Sequence, residues 1–210
     1  MGKSRMDCFS PDSCPGVNEL TSKISLRHFD LSDADDLMLW ATDERVKRFC
    51  RWDTYTFREQ AVEFIKSSMI HPYMRAICFA NQAIGAISVT FNSGNDRYRA
   101  ELGYVLASGY WGRGIATRDV ELVTSTIFVE WPHVERLEAL VDVENEASLR
   151  VLEKAGFKRE GILRKYLILS GGTRDMVICS LLSSDIQEND IIAKPAVVSQ
   201  LCRSLECLKI

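Results

Sequence analysis

With 210 residues, 46% hydrophobic and 26% charged, the chain can bury the core of one ordinary domain with extensions but is short for two. A formal net charge of −3 and a pI of about 5.7 leave no basic face that would hold nucleic acid by bulk electrostatics. Seven cysteines at irregular spacings, with no C-x-x-C pair and no Cys/His cluster, argue against a disulfide framework and against a metal site.

The first 21 residues are rich in Ser, Pro, Asp and Gly without a period and read as a disordered leader. They contain no apolar h-region, and no run of about eighteen apolar residues occurs anywhere, so a soluble cytoplasmic protein without a membrane partner is expected. "KISLRHFD" alternates like a strand. "DLSDADDLMLWATDERV" follows as a helix, with Ser32 and Asp35 at capping-box spacing. A second box, Thr56 with Glu59, opens "FREQAVEFIKSSMI", whose apolar stripe is Ala61, Phe64, Ile65 and Met69. The connection between these helices, "KRFCRWDTYT", is unusually aromatic.

From Met74 the period becomes two. "RAICFA", "AIGAISVTF" and "RAELGYVLA" predict an antiparallel meander, with Cys78 as a small core side chain. A helix runs from the glycine-rich "GYWGRGIAT" to about Phe128 and is ended by Pro132 and His133. "RLEALVDV" is a strand and "NEASLRVLEKAGF" a helix, capped by Asn145 and closed at Gly156. "REGILRKYLILSGGTRDMVICSLL" makes a hairpin around Ser170, Gly171 and Gly172, with Cys179 in the core. The order β-α-α-β-β-β-α-β-α-β-β is a mixed α/β (α+β) domain over residues 22–184. Residues 185–210 form a C-terminal extension, either a docking helix or a disordered end.

A strand, a glycine-rich turn and a helix start bring unpaired N–H groups and the positive end of a helix dipole to one point, an arrangement that favours a phosphate. Gly112 and Gly114 leave the backbone approachable and Arg113 adds a positive charge. The glycine spacing fits neither a Walker A loop nor the dinucleotide fingerprint.

The loop resembles the R/Q-x-x-G-x-G/A segment of the GNAT acetyltransferase superfamily, with Gly114 and Ala116 at its last two positions and Trp111 where the pattern prefers Arg or Gln. Asn145, Ser148, Glu153, Lys154, Gly156 and Phe157 resemble the superfamily's N-x-x-S…EKxGF helix. "EGILR" followed by "GGTRDMVICSLL" resembles the RimJ/RimL-like branch of ribosomal-protein-alanine N-acetyltransferases. The resemblance implies a GNAT fold, a mostly antiparallel twisted sheet flanked by helices and splayed at the CoA site. It also implies acetyl-CoA as co-substrate. The Gly112, Arg113, Gly114, Ile115, Ala116, Thr117 loop would hold its pyrophosphate, Val105 and Leu106 would pair with its pantetheine arm, Asn145 would bond the pantetheine, and Lys154 would meet the 3′-phosphate unless it only complements the helix dipole.

For catalysis the resemblance implies Ser148 as acid for the leaving thiolate and a backbone N–H near Val105 as oxyanion donor. Relatives that use a tyrosine one turn later have no counterpart here, because Leu152 holds that place, and Leu167 stands where related enzymes carry a glutamate. Glu101, on the same face of its strand as Gly103 and Val105, is the candidate base, with a solvated strand carboxylate as the alternative. Tyr166 is read as a polar wall of the acceptor pocket or as core. Trp52, with Phe49, Arg51 and Tyr55, would line the acceptor site unless it serves core packing. His28, His71 and His133 have no partner pattern, and no cysteine is placed for a covalent acetyl-enzyme, so direct attack in a ternary complex is expected. The expected acceptor is a primary amine, first of all a protein N-terminal α-amine. A small amine such as a polyamine or aminoglycoside is one alternative, and a catalytically silent acetyl-CoA-binding module is another. Either a monomer or a homodimer is compatible with these features.

Overall fold

The computed structural model describes residues 23–186; the expected leader and nearly all of the expected extension lie outside the described residues. The period-two segments form one sheet in the order β1 (Ile24–Arg27), β2 (Met74–Phe79), β3 (Gln82–Phe91), β4 (Arg99–Leu106), β5 (Arg136–Asp142), β7 (Gly172–Leu182), β6 (Lys158–Leu169). Every neighbouring pair is antiparallel except β4 with β5. Five α-helices complete the described fold, with short 3-10 turns between elements: α1 (Ala34–Ala41), α2 (Glu44–Lys47), α3 (Arg58–Ile70), α4 (Ile115–Glu130) and α5 (Glu146–Lys154).

The central strands are apolar on both faces, which is why helices cover both. On one face Ile87, Val89, Leu102 and Leu137 pack with Val120, Val123 and Ile127 of α4 and Leu149 and Leu152 of α5. On the other, the small residues Ala76, Cys78 and Ala86 let α1 and α3 come close through Leu37, Trp40, Ala61 and Ile65. Cys78 and Cys179 are both buried, as expected of small core side chains. The strand joins are tight. Ala80 and Asn81 (φ 47° and 74°) turn β2 into β3, and Ser170 and Gly171 (φ 49° and 78°) turn β6 into β7, the left-handed pairs of two-residue hairpins.

The helix starts differ in register from the sequence reading. Asp30, not Ser32, caps the first turn: its carboxylate accepts from Ser32 N at 2.9 Å, and Asp33 returns the bond from Asp30 N at 2.8 Å. The buried Asp33 is fixed there because Arg27 grips both its oxygens, at 2.6 and 2.7 Å. At α3 the reciprocating side chain is Gln60, whose Oε1 accepts from Thr56 N and Phe57 N, so the box lies one residue later than Thr56 with Glu59. The α3 stripe likewise ends on buried Ser68, leaving Met69 exposed. The single helix expected through Val46 breaks at Thr42, because Asp43 turns extended (ψ 113°) and starts α2 with its own cap to Arg45 N.

One buried carboxylate stands out among the unsatisfied polar groups of the described residues. Asp119 on α4 is fully buried, neither carboxylate oxygen has a hydrogen-bond partner, and the nearest cation, Arg118 Nη1, is 3.6 Å away. Burial pushes its pKa from 3.8 up to about 7. Between these values the folded state keeps a proton that the unfolded chain has released, so stability falls as pH rises through that window. Asp119→Asn removes the dependence. In denaturant unfolding at pH 5 and pH 8, the wild type should lose on the order of 2 kcal/mol through this group while the variant stays nearly level and is the more stable at pH 8.

Candidate active site

The cleft starts where two parallel strands part. β4 and β5 pair only at Arg99 with Arg136, Ala100 with Leu137 and Glu101 with Glu138. Beyond that point β5 follows β7 to Asp142, and β4 follows β3 to Leu106. The register decides which β4 groups face the opening. Ala107 N bonds Ile84 O and Asn92 N bonds Arg99 O, so the odd-numbered residues of β4, Val105 included, spend their backbone groups on β3. Tyr104 and Leu106 turn theirs toward the cleft with no strand opposite. The Leu106 carbonyl is taken by the Trp111 indole, whose Nε1 donates at 2.7 Å. Thus the residue standing in the pattern's Arg/Gln position closes one acceptor on the strand's open edge, and the expectation that Val105 offers its own backbone there is corrected by register. Gly85 allows β3 to come this near: a Cβ on it would lie 2.3 Å from the Val105 carbonyl oxygen.

Two cavities meet at the cleft. The first, ≈ 370 Å³, runs from the end of β4 between the glycine loop and α5. The second, ≈ 340 Å³, lies under α1, α3 and their connection. Phe49, Cys50, Tyr104, Val105, Asn145 and Ser148 line both, so these six residues mark the junction.

At the first cavity's outer end Gly112 (φ +73°) and Gly114 (φ +75°) hold left-handed conformations, and a Cβ on either would meet nothing within 4 Å. Gly114 is also the N-cap of α4 and supplies no side-chain cap, so the first-turn N–H groups of Ile115, Ala116 and Thr117 stay open to a ligand. Ile115, 3% exposed, anchors the turn to the core. Open N–H groups on the positive end of a 16-residue helix form an arrangement that favours an anion. Arg113 does not join it; its guanidinium lies over the Tyr110 ring, 5.3 Å from the centroid. Lys154 does line the cavity, with two cations that sequence reasoning missed, Arg45 and Arg150.

Asn145 caps α5, its Oδ1 accepting from Ser148 N at 3.1 Å. The Ser148 hydroxyl has no hydrogen-bond partner among the described residues. The Ser148 carbonyl accepts from the Tyr104 phenol at 3.1 Å, a strut from β4 to α5 across the gap that the missing strand pairing leaves. Burial pushes the Tyr104 phenol up to about 12, so it remains a donor at physiological pH. Leu152 is fully buried.

The aromatic connection crosses the cleft as a strap. Asp43 accepts from Ser108 Oγ at 2.6 Å on the β4 side. The Arg45 guanidinium, followed by Ser108, holds its carboxyl well below the usual carboxylate range. Arg51 reaches Glu101 at 2.8 Å, and Arg48 reaches Glu144, beyond β5, at 3.1 Å. The strap brings Cys50 to the junction. Burial pushes that thiol up to about 12, leaving it protonated and a poor nucleophile.

Glu101 and Trp52 both line the second cavity. Trp52 packs edge-on against Trp40, ring centroids 6.5 Å apart. Tyr166 is not brought to either cavity; it is half exposed on β6, beside Ile162 and Asp175, where β6 bulges between Leu163 and Leu167. His28, His71 and His133 line neither cavity. Among the described residues no group of His, Cys, Asp and Glu could hold a metal ion, and no helix is long and apolar enough to cross a membrane.

Comparison with known proteins agrees with this architecture. Residues 23–158 match the family described as "Acetyltransferase (GNAT) domain". The chain is 28% identical over 172 residues to Uncharacterized N-acetyltransferase p20 of Bacillus licheniformis, covering 79% of this chain and 96% of p20. It is 32% identical over 79 residues to Spermidine N(1)-acetyltransferase of Escherichia coli (strain K12), covering 38% of this chain and 42% of that enzyme. Among solved structures, the ribosomal L7/L12 alpha-N-protein acetyltransferase RimL in complex with coenzyme A superposes with a TM-score of 0.69 at 22% identity, over 80% of this chain and 98% of RimL. At that identity the likeness is one of fold. With a splayed mixed sheet, a glycine cradle at a helix start and a family match over most of the described residues, the chain belongs to the GNAT family of acetyl-CoA-dependent N-acetyltransferases.

Proposed function

We propose that the chain transfers the acetyl group of acetyl-CoA to the α-amine at a polypeptide N-terminus, by direct attack within a ternary complex. The observation that carries this reading is the charge of the second cavity. Its walls are apolar and aromatic, and its one half-exposed carboxylate, Glu101, is already paired with Arg51. Its other carboxylate, Asp142, is buried, with Oδ1 accepting from Glu144 N at 2.8 Å and Oδ2 facing the Arg174 guanidinium at 3.9 Å. A polycation needs several exposed, unpaired carboxylates, and this cavity offers one exposed carboxylate, already in an ion pair, so it suits a single amine on an uncharged chain better than a polyamine. RimL, a protein α-N-acetyltransferase by name, shares the fold; the spermidine enzyme shares only part of the sequence.

The residues present fit acetyl-CoA. The open N–H groups of Ile115, Ala116 and Thr117 would take the pyrophosphate between Gly112 and Gly114, the edge of Tyr104 and Leu106 would receive the pantetheine, and Arg45, Arg150 and Lys154 would meet the nucleotide end. When bound, acetyl-CoA supplies the activated acetyl carbon at the junction. There the cleft-facing N–H groups of Tyr104 and Leu106 can donate to a developing oxyanion, and the free Ser148 hydroxyl can donate to the departing sulfur. Glu101 is set back from that point: three residues of strand separate it from Tyr104, about 10 Å. It therefore takes the amine's proton through intervening water, which the half-exposed carboxylate can reach.

Three outcomes check this reading. With purified protein and acetyl-CoA, N-terminal peptides should be acetylated at least about tenfold more efficiently than spermidine; a reversed order transfers the chain to the small-amine class, and no acceptor at all makes it a binding module. Gly114→Val forces a branched side chain into the left-handed region and into the cradle. It should abolish the acetyl-CoA binding seen by calorimetry while costing only about 1–2 kcal/mol of stability. Glu101→Gln should lower kcat by about ten- to a hundredfold near neutral pH, with less loss at higher pH where the amine is already neutral, and leave acetyl-CoA affinity unchanged.

A further inference from the structure

The second cavity is larger than an amine requires. The six junction residues account for the place where the acetyl carbon and the attacking nitrogen must meet. The rest of the wall, Trp40, Trp52, Tyr55, Phe64 and Met74 with Leu37 behind them, lies beyond the junction under α1 and α3. No ionised group faces that part: Arg51, Glu101 and Asp142 are the only charged residues in the lining, Glu101 sits on β4 bound to Arg51, and Asp142 ends β5. At about 30 Å³ for each water-sized group, ≈ 340 Å³ holds roughly eleven non-hydrogen atoms, the mouth included. An alanine or serine at the acceptor terminus would fill one or two of those positions and leave apolar wall against water.

We propose that this space is a side-chain pocket, and that the acceptor α-amine belongs to a residue with a bulky apolar or aromatic side chain, such as leucine, methionine or phenylalanine. The inference rests on the reading of the acceptor as an α-amine and names the residue that carries it. The side chain enters between the Trp52 and Tyr55 rings on the strap and Met74 on β2, its α-amine is left at the junction within water's reach of Glu101, and the remainder of the peptide leaves past the Arg51–Glu101 pair. Binding disfavours polar N-terminal residues because that part of the wall is mainly apolar, its hydroxyls being those of Tyr55, Ser88 and Thr90.

The test compares kcat/KM for tripeptides that differ only in their first residue, Ala, Ser, Leu, Met or Phe, together with 2-phenylethylamine, using the full-length protein and acetyl-CoA. Leucine, methionine and phenylalanine peptides should exceed the alanine peptide by about tenfold or more, the gain expected from burying such a side chain. Met74→Trp, which fills the pocket, should reduce the phenylalanine-to-alanine ratio at least about fivefold. If the alanine or serine peptide is the equal or better substrate, the side-chain pocket is overturned while acetylation of N-termini stands. If 2-phenylethylamine is acetylated and no peptide is, the pocket stands and the peptide acceptor is overturned. If nothing is acetylated, both fall together.

Discussion

The molecule is organised around an interruption in its sheet. Two parallel strands join for three residues and then separate because each continues on a different partner, β4 along β3 and β5 along β7. Backbone groups inside a protein are almost always paired, so an open strand edge at the centre of a domain is a place built to be completed by something else. The pairing parity makes that edge discrete, with Tyr104 and Leu106 facing outward and Val105 turned away. Trp111 closes the Leu106 carbonyl from within, so the chain itself has already answered part of what the gap asks for. What remains open is a short run of groups flanked by a helix start on one side and an aromatic hollow on the other.

Keeping such a gap from collapsing requires struts, and the structure supplies them from distant parts of the sequence. The Tyr104 phenol reaches the carbonyl of Ser148. The strap spans the opening above, tied by Asp43 to Ser108, by Arg51 to Glu101 and by Arg48 to Glu144. Glu144 also meets Arg174 of β7 at 3.4 Å, so one carboxylate links the strap to the far half of the sheet. The Arg48 and Arg51 pairs are solvent-exposed, and each contributes at most about 1 kcal/mol. Their value is in position: they tie the covering segment to both halves of the sheet.

Much of this was legible in the residues. Hydrophobic alternation gave the strands and their order, and the glycine loop between a strand and a helix announced a left-handed turn at an open helix start. Asn145 announced a cap. Three kinds of feature were not legible. Cap positions slid by one or two residues where a competing partner existed, as when Arg27 fixed Asp33. The direction of each β4 backbone group depends on register with β3, which no pattern within β4 encodes. Contacts between residues far apart in sequence, such as Tyr104 with α5 or Cys50 at the junction, exist only once the chain has folded. Arg113 illustrates the reverse error, a residue type suited to the site and next to it in sequence that the backbone directs elsewhere; Tyr166, suited by type alone, lies on β6 away from both cavities.

The two outer strands of the sheet bear on how the protein behaves at high concentration. An open sheet exposes a row of unpaired backbone groups at each border, and a neighbouring chain can add to such a row indefinitely. Here one border, β1, is only four residues long. The other, β6, is twelve residues long and carries the exposed Ile162 and Ile168, a combination that invites aggregation. Its ladder is broken between Leu163 and Leu167, with Lys165 in a left-handed conformation (φ 51°) and Arg164 beside it. The kink shortens the straight edge, and two positive charges would meet those of any identical chain that tried to dock, so the longest border of the sheet defends itself against growth.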